Sequence, residues 1–322
     1  MKLTKKIKKF IKITAAQLIT KIQLFFLLKI NGVTKKDWIF LLPFGLGDTL
    51  FLSSLIHEFK LKNGGKVVIL VKKNHQILVQ MFPAVDQSII LKSTFLNFRY
   101  EKICNTSLIK KGRIFIPHPL LNSNLSSLVA ILGYKNLSLV DMYKIALKLD
   151  ESAKLETADL NIYNISKAKD FLNKMGFDPA KTVVIMPKAN SIPMISVDLW
   201  NEIISKLRCH NFNIIINAAD KKNFHTDEEK VIFLDVELKE IVAIARISAF
   251  TISLRSGICD LLAFSKANLV VLYPDLQSQK AYSLNNIFED GNFSEIIIDK
   301  FLNQEELTDK IINQIQRNAK LF

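Results

Sequence analysis

Short, unbroken apolar runs constrain this chain most. WIFLLPF (38–44), KVVILV (66–71), TVVIMP (182–187), FNIIINA (212–218) and NLVVLYP (268–274) show no polar alternation. A strand that is apolar on both faces must be covered on both, which predicts parallel sheets with helices on each side. QSIIL (87–91), RIFIPHP (113–119), KVIFLDV (230–236), FTISL (250–254) and SEIIID add further strands. Between them lie segments with helical spacing. TLFLSSLIHEFKLK is closed by Asn63-Gly64-Gly65, ISKAKDFLNKMG by Gly176, and SVDLWNEIISKLRCH is capped by Ser196. NHQILVQMF, LVDMYKIALKL (139–149), ELKEIVAIARI and NQEELTDKIINQIQ read as helices as well.

The polar, aperiodic stretch DESAKLETADL (150–160) separates two such series. The expected fold is therefore α/β, with two doubly wound Rossmann-like domains at residues 31–155 and 156–322 after a helical segment at 1–30. Ligands of such sheets bind beyond the carboxyl ends of the strands. Two sheets facing a cleft would place the active site there.

Hydrophobic residues make up 49% of the 322 and charged residues 23%, so cores can form and disorder is excluded. Cys104, Cys209 and Cys259 are far apart and odd in number, which argues against a zinc site or a disulfide framework and fits a reducing compartment. The formal charge of +14 points to an anionic partner or to a lysine-biased composition.

The charge is concentrated at the start. KLTKKIKKFIK (2–12) holds six lysines among Leu3, Ile7, Phe10 and Ile11, and TAAQLITKIQLFFLLKI follows. No uncharged run reaches the roughly 18–20 residues of a membrane span, and no small-residue cleavage site follows IQLFFLL. The segment reads as a basic amphipathic helix for an anionic membrane surface, or as a first helix packed on the body with wet lysines. Nucleic acid is disfavoured because no Arg or aromatic pattern accompanies the lysines.

GLGD (45–48) forms a tight turn after the first strand, where a helix amino terminus presents free N–H groups. A dinucleotide site is disfavoured, since Leu50 stands where a third Gly belongs and the second strand ends in Val71-Lys72 without an acidic residue. Asp48 is then a helix cap or a reactive carboxylate.

GLGDTLFLSSLIHEFK, with KVVILVKKNHQILVQMFPAVDQSII after it, resembles glycosyltransferase family 9, the lipopolysaccharide heptosyltransferases of the GT-B fold. VVIMPKANS (183–191), DLWNEIISKLRCHNFNIIINAA and TISLRSGICDLLAFSKANLVVLYP (251–274) resemble that family's second domain in order and spacing. The resemblance implies an inverting enzyme that moves a sugar from a nucleoside-diphosphate donor to a cell-surface glycan or glycolipid. It implies no cofactor, and a cytoplasmic place on the inner face of the cell membrane. It makes Asp48 the catalytic base, taking a proton from an acceptor hydroxyl. Gly45, Gly47 and His118, in Ile-Pro-His-Pro, fall on the acceptor side.

In LRSGICD, Ser256 can cap a helix, Gly257 can let a phosphate approach, and Arg255 offers a forked cation. Lys188 adds a second cation. The chain departs from the family where Arg255-Ser256-Gly257 and Asp260 replace Asp-Thr-Gly and His, and where Lys188-Ala189 replaces Gly-Ala. No D-x-D triplet occurs, so no metal is expected on the diphosphate. A nucleotide-sugar epimerase of the same architecture and a non-catalytic membrane-bound binding protein are the alternatives.

Overall fold

A computed structural model describes residues 2–91, 104, 109–118, 127, 131, 137–190, 192–217, 224, 230–288, 291–298 and 304–319. Pro119, Ser191, Ala218, Asp299 and Asn303, at the ends of segments read from the sequence, lie outside the described residues, as do the side chains of residues 2–13. The chain forms two compact units: Met1–Gly133 with Val140–Thr157, and Tyr134–Leu139 with Ala158–Phe322.

The first unit opens with a helix, α1 (Lys2–Ile30), then β1 (Trp38–Leu42), α2 (Leu46–Ser54), α3 (Ile56–Asn63), β2 (Val67–Lys72), α4 (Gln76–Gln80), β3 (Gln87–Leu91) and β4 (Ile114–Phe115). Its last helix is α5 (Leu139–Ala146). The sheet is parallel in the order β3-β2-β1-β4. Trp38 pairs with Val67, and Ile39 with Ile114, so β1 is central. Phe40 and Leu41 are fully buried, as a strand covered on both faces requires. One face packs Leu41, Val68, Leu70 and Ile116 against Leu24 of α1, with Leu27 and Leu28 beside it.

The helix expected over TLFLSSLIHEFKLK starts earlier and is divided. It begins at Leu46 and breaks at Leu55 into α2 and α3. The hydroxyls of Ser53 and Ser54 donate back to the carbonyls of Thr49 and Phe51, a bonding that bends a helix where it occurs. Gly64, at φ 58°, ends α3 as the Asn-Gly-Gly run predicts.

The second unit contains α6 (Ile165–Lys174), β5 (Thr182–Met186), α7 (Val197–Cys209), β6 (Asn213–Asn217), β7 (Val231–Leu234), α8 (Leu238–Ile247), β8 (Phe250–Leu254), α9 (Gly257–Phe264), β9 (Leu269–Tyr273), α10 (Leu276–Tyr282), β10 (Phe293–Ile297) and α11 (Gln304–Ala319). Its sheet order is β10-β9-β8-β5-β6-β7, and all the pairs are parallel. Counted from β5, this is the doubly wound order 3-2-1-4-5-6. Ser196 caps α7 by accepting the Leu199 N–H at 3.2 Å. Trp200, Ile203 and Leu207 from α7 join Ile185, Ile214, Ile252 and Leu272 in the core.

Gly112 sets the entry to β4. Its N–H donates to Asp37 O at 2.8 Å, its φ is 71°, and a Cβ there would lie 2.7 Å from Lys35 O. Gly32 has a similar φ of 68° but open space around it. Gly32→Ala should cost about 1–2 kcal/mol from the left-handed backbone alone. Gly112→Ala should cost clearly more, because the added methyl meets backbone. Thermal unfolding of both variants measures the difference.

Candidate functional site

Strand order reverses once in each sheet, between β1 and β4 in the first unit and between β5 and β8 in the second. Crossovers leave such a point on opposite faces and open a crevice at the carboxyl ends. In the first unit, β1 runs into Pro43-Phe44-Gly45 and α2, while β4 runs into Ile116-Pro117-His118. In the second, β5 runs into Pro187-Lys188 and β8 into Arg255-Ser256-Gly257. Topology thus gathers every residue singled out in the sequence at one of two switch points.

In the first unit, the turn expected at GLGD is the start of α2. Gly45 is the N-cap residue, and Asp48 sits inside the first turn. Gly45 has φ −73° and Gly47 is not among the positive-φ residues, so neither glycine is there for a left-handed backbone. The need at Gly45 is space: a Cβ would lie 3.0 Å from Asp48 Oδ2.

Asp48 is held at both oxygens. Oδ2 accepts the Gly45 N–H at 3.0 Å, and Oδ1 accepts the Tyr143 hydroxyl at 2.7 Å. Tyr143 reaches it from α5 and is itself fully buried. Burial, and then the neighbouring Asp48 charge, push the Tyr143 hydroxyl well above its ordinary pKa, so it remains a donor. The half-buried carboxylate is fixed in one rotamer while part of it stays open to solvent.

A ring of basic and aromatic groups surrounds it. Lys72, at the end of β2, donates to Phe44 O at 2.8 Å. Burial lowers its pKa, and the Asp48 charge opposes that. The Thr49 hydroxyl lies 3.0 Å from Gly45 O and 3.1 Å from His75 Nδ1. Burial, then the Lys72 charge, lower His75 to about 4, so its imidazole is neutral at pH 7. His118 packs on the Phe44 ring at 4.0 Å, and burial lowers its pKa against the pull of Asp48. The site combines one fixed carboxylate, one cation and two histidines biased to the neutral form.

In the second unit, Arg255 differs from the sequence expectation. Its fork is occupied: Nη2 and Nη1 donate to Asp260 Oδ1 and Oδ2 at 2.7 and 3.1 Å. Nε donates to Tyr282 O at 2.7 Å, and Nη1 also donates to Ser256 O at 2.6 Å. Arg255 is only 6% exposed. Burial alone would lower its pKa, but the Asp260 charge more than offsets this and the guanidinium stays ionised. A free forked cation is therefore replaced by an internal strap that ties the end of β8 to the first turn of α9 and to the end of α10.

Ser256 is the N-cap of α9, but its side chain makes no capping bond, contrary to the sequence expectation. The first amides of the helix, at Gly257 and Ile258, have no intrahelical acceptor. Lys188 is exposed just beyond β5, and Met186 pairs with Ser253 in register, so the Lys188 and Ser256 loops leave neighbouring strands.

The sequence reading missed Tyr143, Lys72 and His75. Lys72 and His75 carry a usable signal, because they stand at and just after the end of β2, the strand next to β1. Tyr143 carries none, since it lies 95 residues from its partner. Among the described residues, no group of three or more His, Cys, Asp or Glu is placed to hold a metal ion. A groove of about 460 Å³ runs along Ala168 and Phe171 of α6 and Ala243 and Ile244 of α8. Its lining is mostly apolar and includes no switch-point loop residue.

No protein-family model matches the sequence, and no curated protein matches it. Solved structures do share the fold. A family 9 glycosyltransferase from Veillonella parvula DSM 2008 superposes with a TM-score of 0.57 at 12% identity, over 90% of this chain and 97% of that one. ADP-heptose lipopolysaccharide heptosyltransferase II of E. coli gives 0.59 at 12% identity, over 88% and 99%. E. coli heptosyltransferase WaaC, solved with ADP, gives 0.54 at 12% identity, over 89% and 100%. The two-domain Rossmann-like architecture expected from the sequence is thus the fold of this chain.

The Arg255–Asp260 strap is testable without any ligand. Asp260→Asn leaves a buried guanidinium without its counter-charge and should cost about 3–5 kcal/mol. Arg255→Met should be similarly costly. The double variant Arg255→Met/Asp260→Leu should recover part of the loss, because no buried charge is then left unpaired. Chemical denaturation of the three variants checks this.

Proposed function

We propose that this chain is an inverting, metal-independent glycosyltransferase that uses a nucleoside-diphosphate sugar. The observation that carries the reading is Asp48, a carboxylate fixed by two hydrogen bonds at the switch point of the first unit. The fold shared with heptosyltransferases supports it. So does the ADP in the WaaC structure, which is a nucleoside diphosphate.

In this reading, the second unit holds the donor. Its diphosphate meets the Gly257 and Ile258 amides at the start of α9, with the exposed Lys188 ammonium as counter-charge. Arg255 does not touch the phosphates. It positions Ser256 and Gly257 through Asp260 and the two backbone carbonyls it binds. The first unit takes the acceptor, a cell-surface glycan or glycolipid, with Gly45, Gly47 and His118 on the acceptor side. Its hydroxyl oxygen attacks the anomeric carbon from the face opposite the diphosphate. The new C–O bond forms as the C–O bond to the diphosphate breaks, and that electron pair leaves on the phosphate oxygen. The proton passes to Asp48, and the anomeric centre inverts. Negative charge grows on the leaving group, where N–H donors and Lys188 lower the barrier. The enzyme works in the cytoplasm at the inner face of the cell membrane, whose anionic lipids suit a chain of charge +14.

Release of nucleoside diphosphate from a panel of nucleotide-sugars, with and without acceptor glycans, tests the reading. Acceptor-dependent release that persists in EDTA is expected. Release that needs added magnesium or manganese contradicts the metal-independent mechanism, and interconversion of the sugar without transfer makes the protein an epimerase.

Asp48→Asn should lower turnover by roughly 10²–10⁴ while donor affinity stays within a few-fold. A large loss of donor affinity instead would make the loop a phosphate cradle. Tyr143→Phe removes a hydrogen bond to a charged group, of the kind worth about 1.5–3 kcal/mol. It should lower kcat by roughly 10-fold or more with KM for the donor little changed. Added to Asp48→Asn, it should cause little further loss of kcat, because Tyr143 acts through that carboxylate.

A further inference from the structure

Over its described side chains, helix α1 packs on its unit with one face. Leu24 is buried against Ile39, Leu41, Val68 and Leu70, Leu27 and Leu28 pack beside it, and Thr20 is buried one turn earlier. On the other side of the helix, six large apolar side chains face solvent: Leu18, Ile19, Ile22, Phe25, Phe26 and Ile30, each between 47 and 82% exposed. At ~100° per residue these six fall within an arc of about 140°, while Thr20, Leu24, Leu27 and Leu28 occupy the opposite side. Scattered exposed apolar residues are ordinary on a protein surface, but a continuous stripe of this kind marks an interaction surface.

The chemistry of the occupant follows from charge. Residues 2–30 contain eight lysines and no acidic residue, and Asp37 is the first acid in the chain. A second copy packed on this stripe would bring two lysine-rich helices together. A bilayer with anionic headgroups satisfies both features, taking apolar side chains at the acyl boundary and lysines among phosphates. No described helix is long and apolar enough to cross a membrane, so the helix would lie in the interface plane.

We propose that the Leu18–Ile30 face of α1 is the docking surface by which this protein binds an anionic phospholipid bilayer. This contact is made by α1 alone and holds whether or not the protein transfers a sugar.

Flotation of the full-length chain with vesicles tests it. The unaltered protein should float with equimolar phosphatidylcholine and phosphatidylglycerol vesicles and stay behind with phosphatidylcholine alone. The triple variant Ile22→Asn/Phe25→Asn/Phe26→Asn alters only exposed side chains, so its melting temperature should be unchanged. Its vesicle affinity should fall by at least about tenfold. In a separate variant, Phe26→Trp, indole emission should shift to the blue on adding anionic vesicles and be quenched by brominated acyl chains.

Unchanged vesicle affinity in the triple variant, with the introduced indole of the Phe26→Trp variant unquenched, would overturn the proposal by leaving binding to the lysines alone. Failure of the unaltered protein to bind anionic vesicles would overturn it outright. A dimer in light scattering that becomes a monomer in the triple variant would assign the face to a second copy. Nucleoside-diphosphate release with a soluble acceptor should be the same for the triple variant and the unaltered chain. Loss of that activity in both would sink the transferase reading and leave the docking surface standing.

Discussion

Parallel pairing of β1 with both of its neighbours, and of β5 with both of its own, determines where everything else in this protein can sit. A parallel strand cannot be reached by a hairpin, so each connection crosses over the sheet and covers one of its faces. Crossovers that diverge to opposite faces leave the carboxyl ends of the central strands uncovered. The cost of burying both sheet faces is met by residues such as Phe40, Leu41, Ile185 and Ile252, all fully buried. The same topology then sets a switch point at the carboxyl ends in each unit.

The two switch points are furnished in opposite ways. At the first, the Asp48 carboxylate is held by neutral donors, the Gly45 amide and the Tyr143 hydroxyl. Lys72 stands nearby but spends a donor on Phe44 O. At the second, the carboxylate of Asp260 is consumed by Arg255, and what remains open is a helix start and the exposed Lys188. One switch point thus offers a fixed carboxylate, and the other a helix start beside a cation.

Much of this is legible in the sequence because it rests on local signals. Apolar runs mark the strands, and Asn-Gly-Gly and Gly176 mark helix ends, since a left-handed residue is needed there. The loop Gly45–Asp48 stands out because a strand and a helix flank it. What is not legible rests on which side chains meet, whether far apart in the chain or near. Tyr143 belongs to an amphipathic helix whose apolar face explains it fully until its hydroxyl is seen on Asp48. Arg255 reads as a free cation, although Asp260 stands five residues later in the first turn of the helix that follows. That spacing brings the pair together, and the apolar setting of β8 is what demands a partner for the charge.

In the proposed function, a nucleoside diphosphate binds at the second unit's switch point. Hydrogen–deuterium exchange with and without a nucleoside diphosphate tests it most directly. Slowed exchange is expected at the Gly257 and Ile258 amides and in the segment after β5 around Lys188, with the α6–α8 groove unchanged. Protection confined to that groove, or no protection at the start of α9 with any nucleoside diphosphate at saturating concentration, would contradict it.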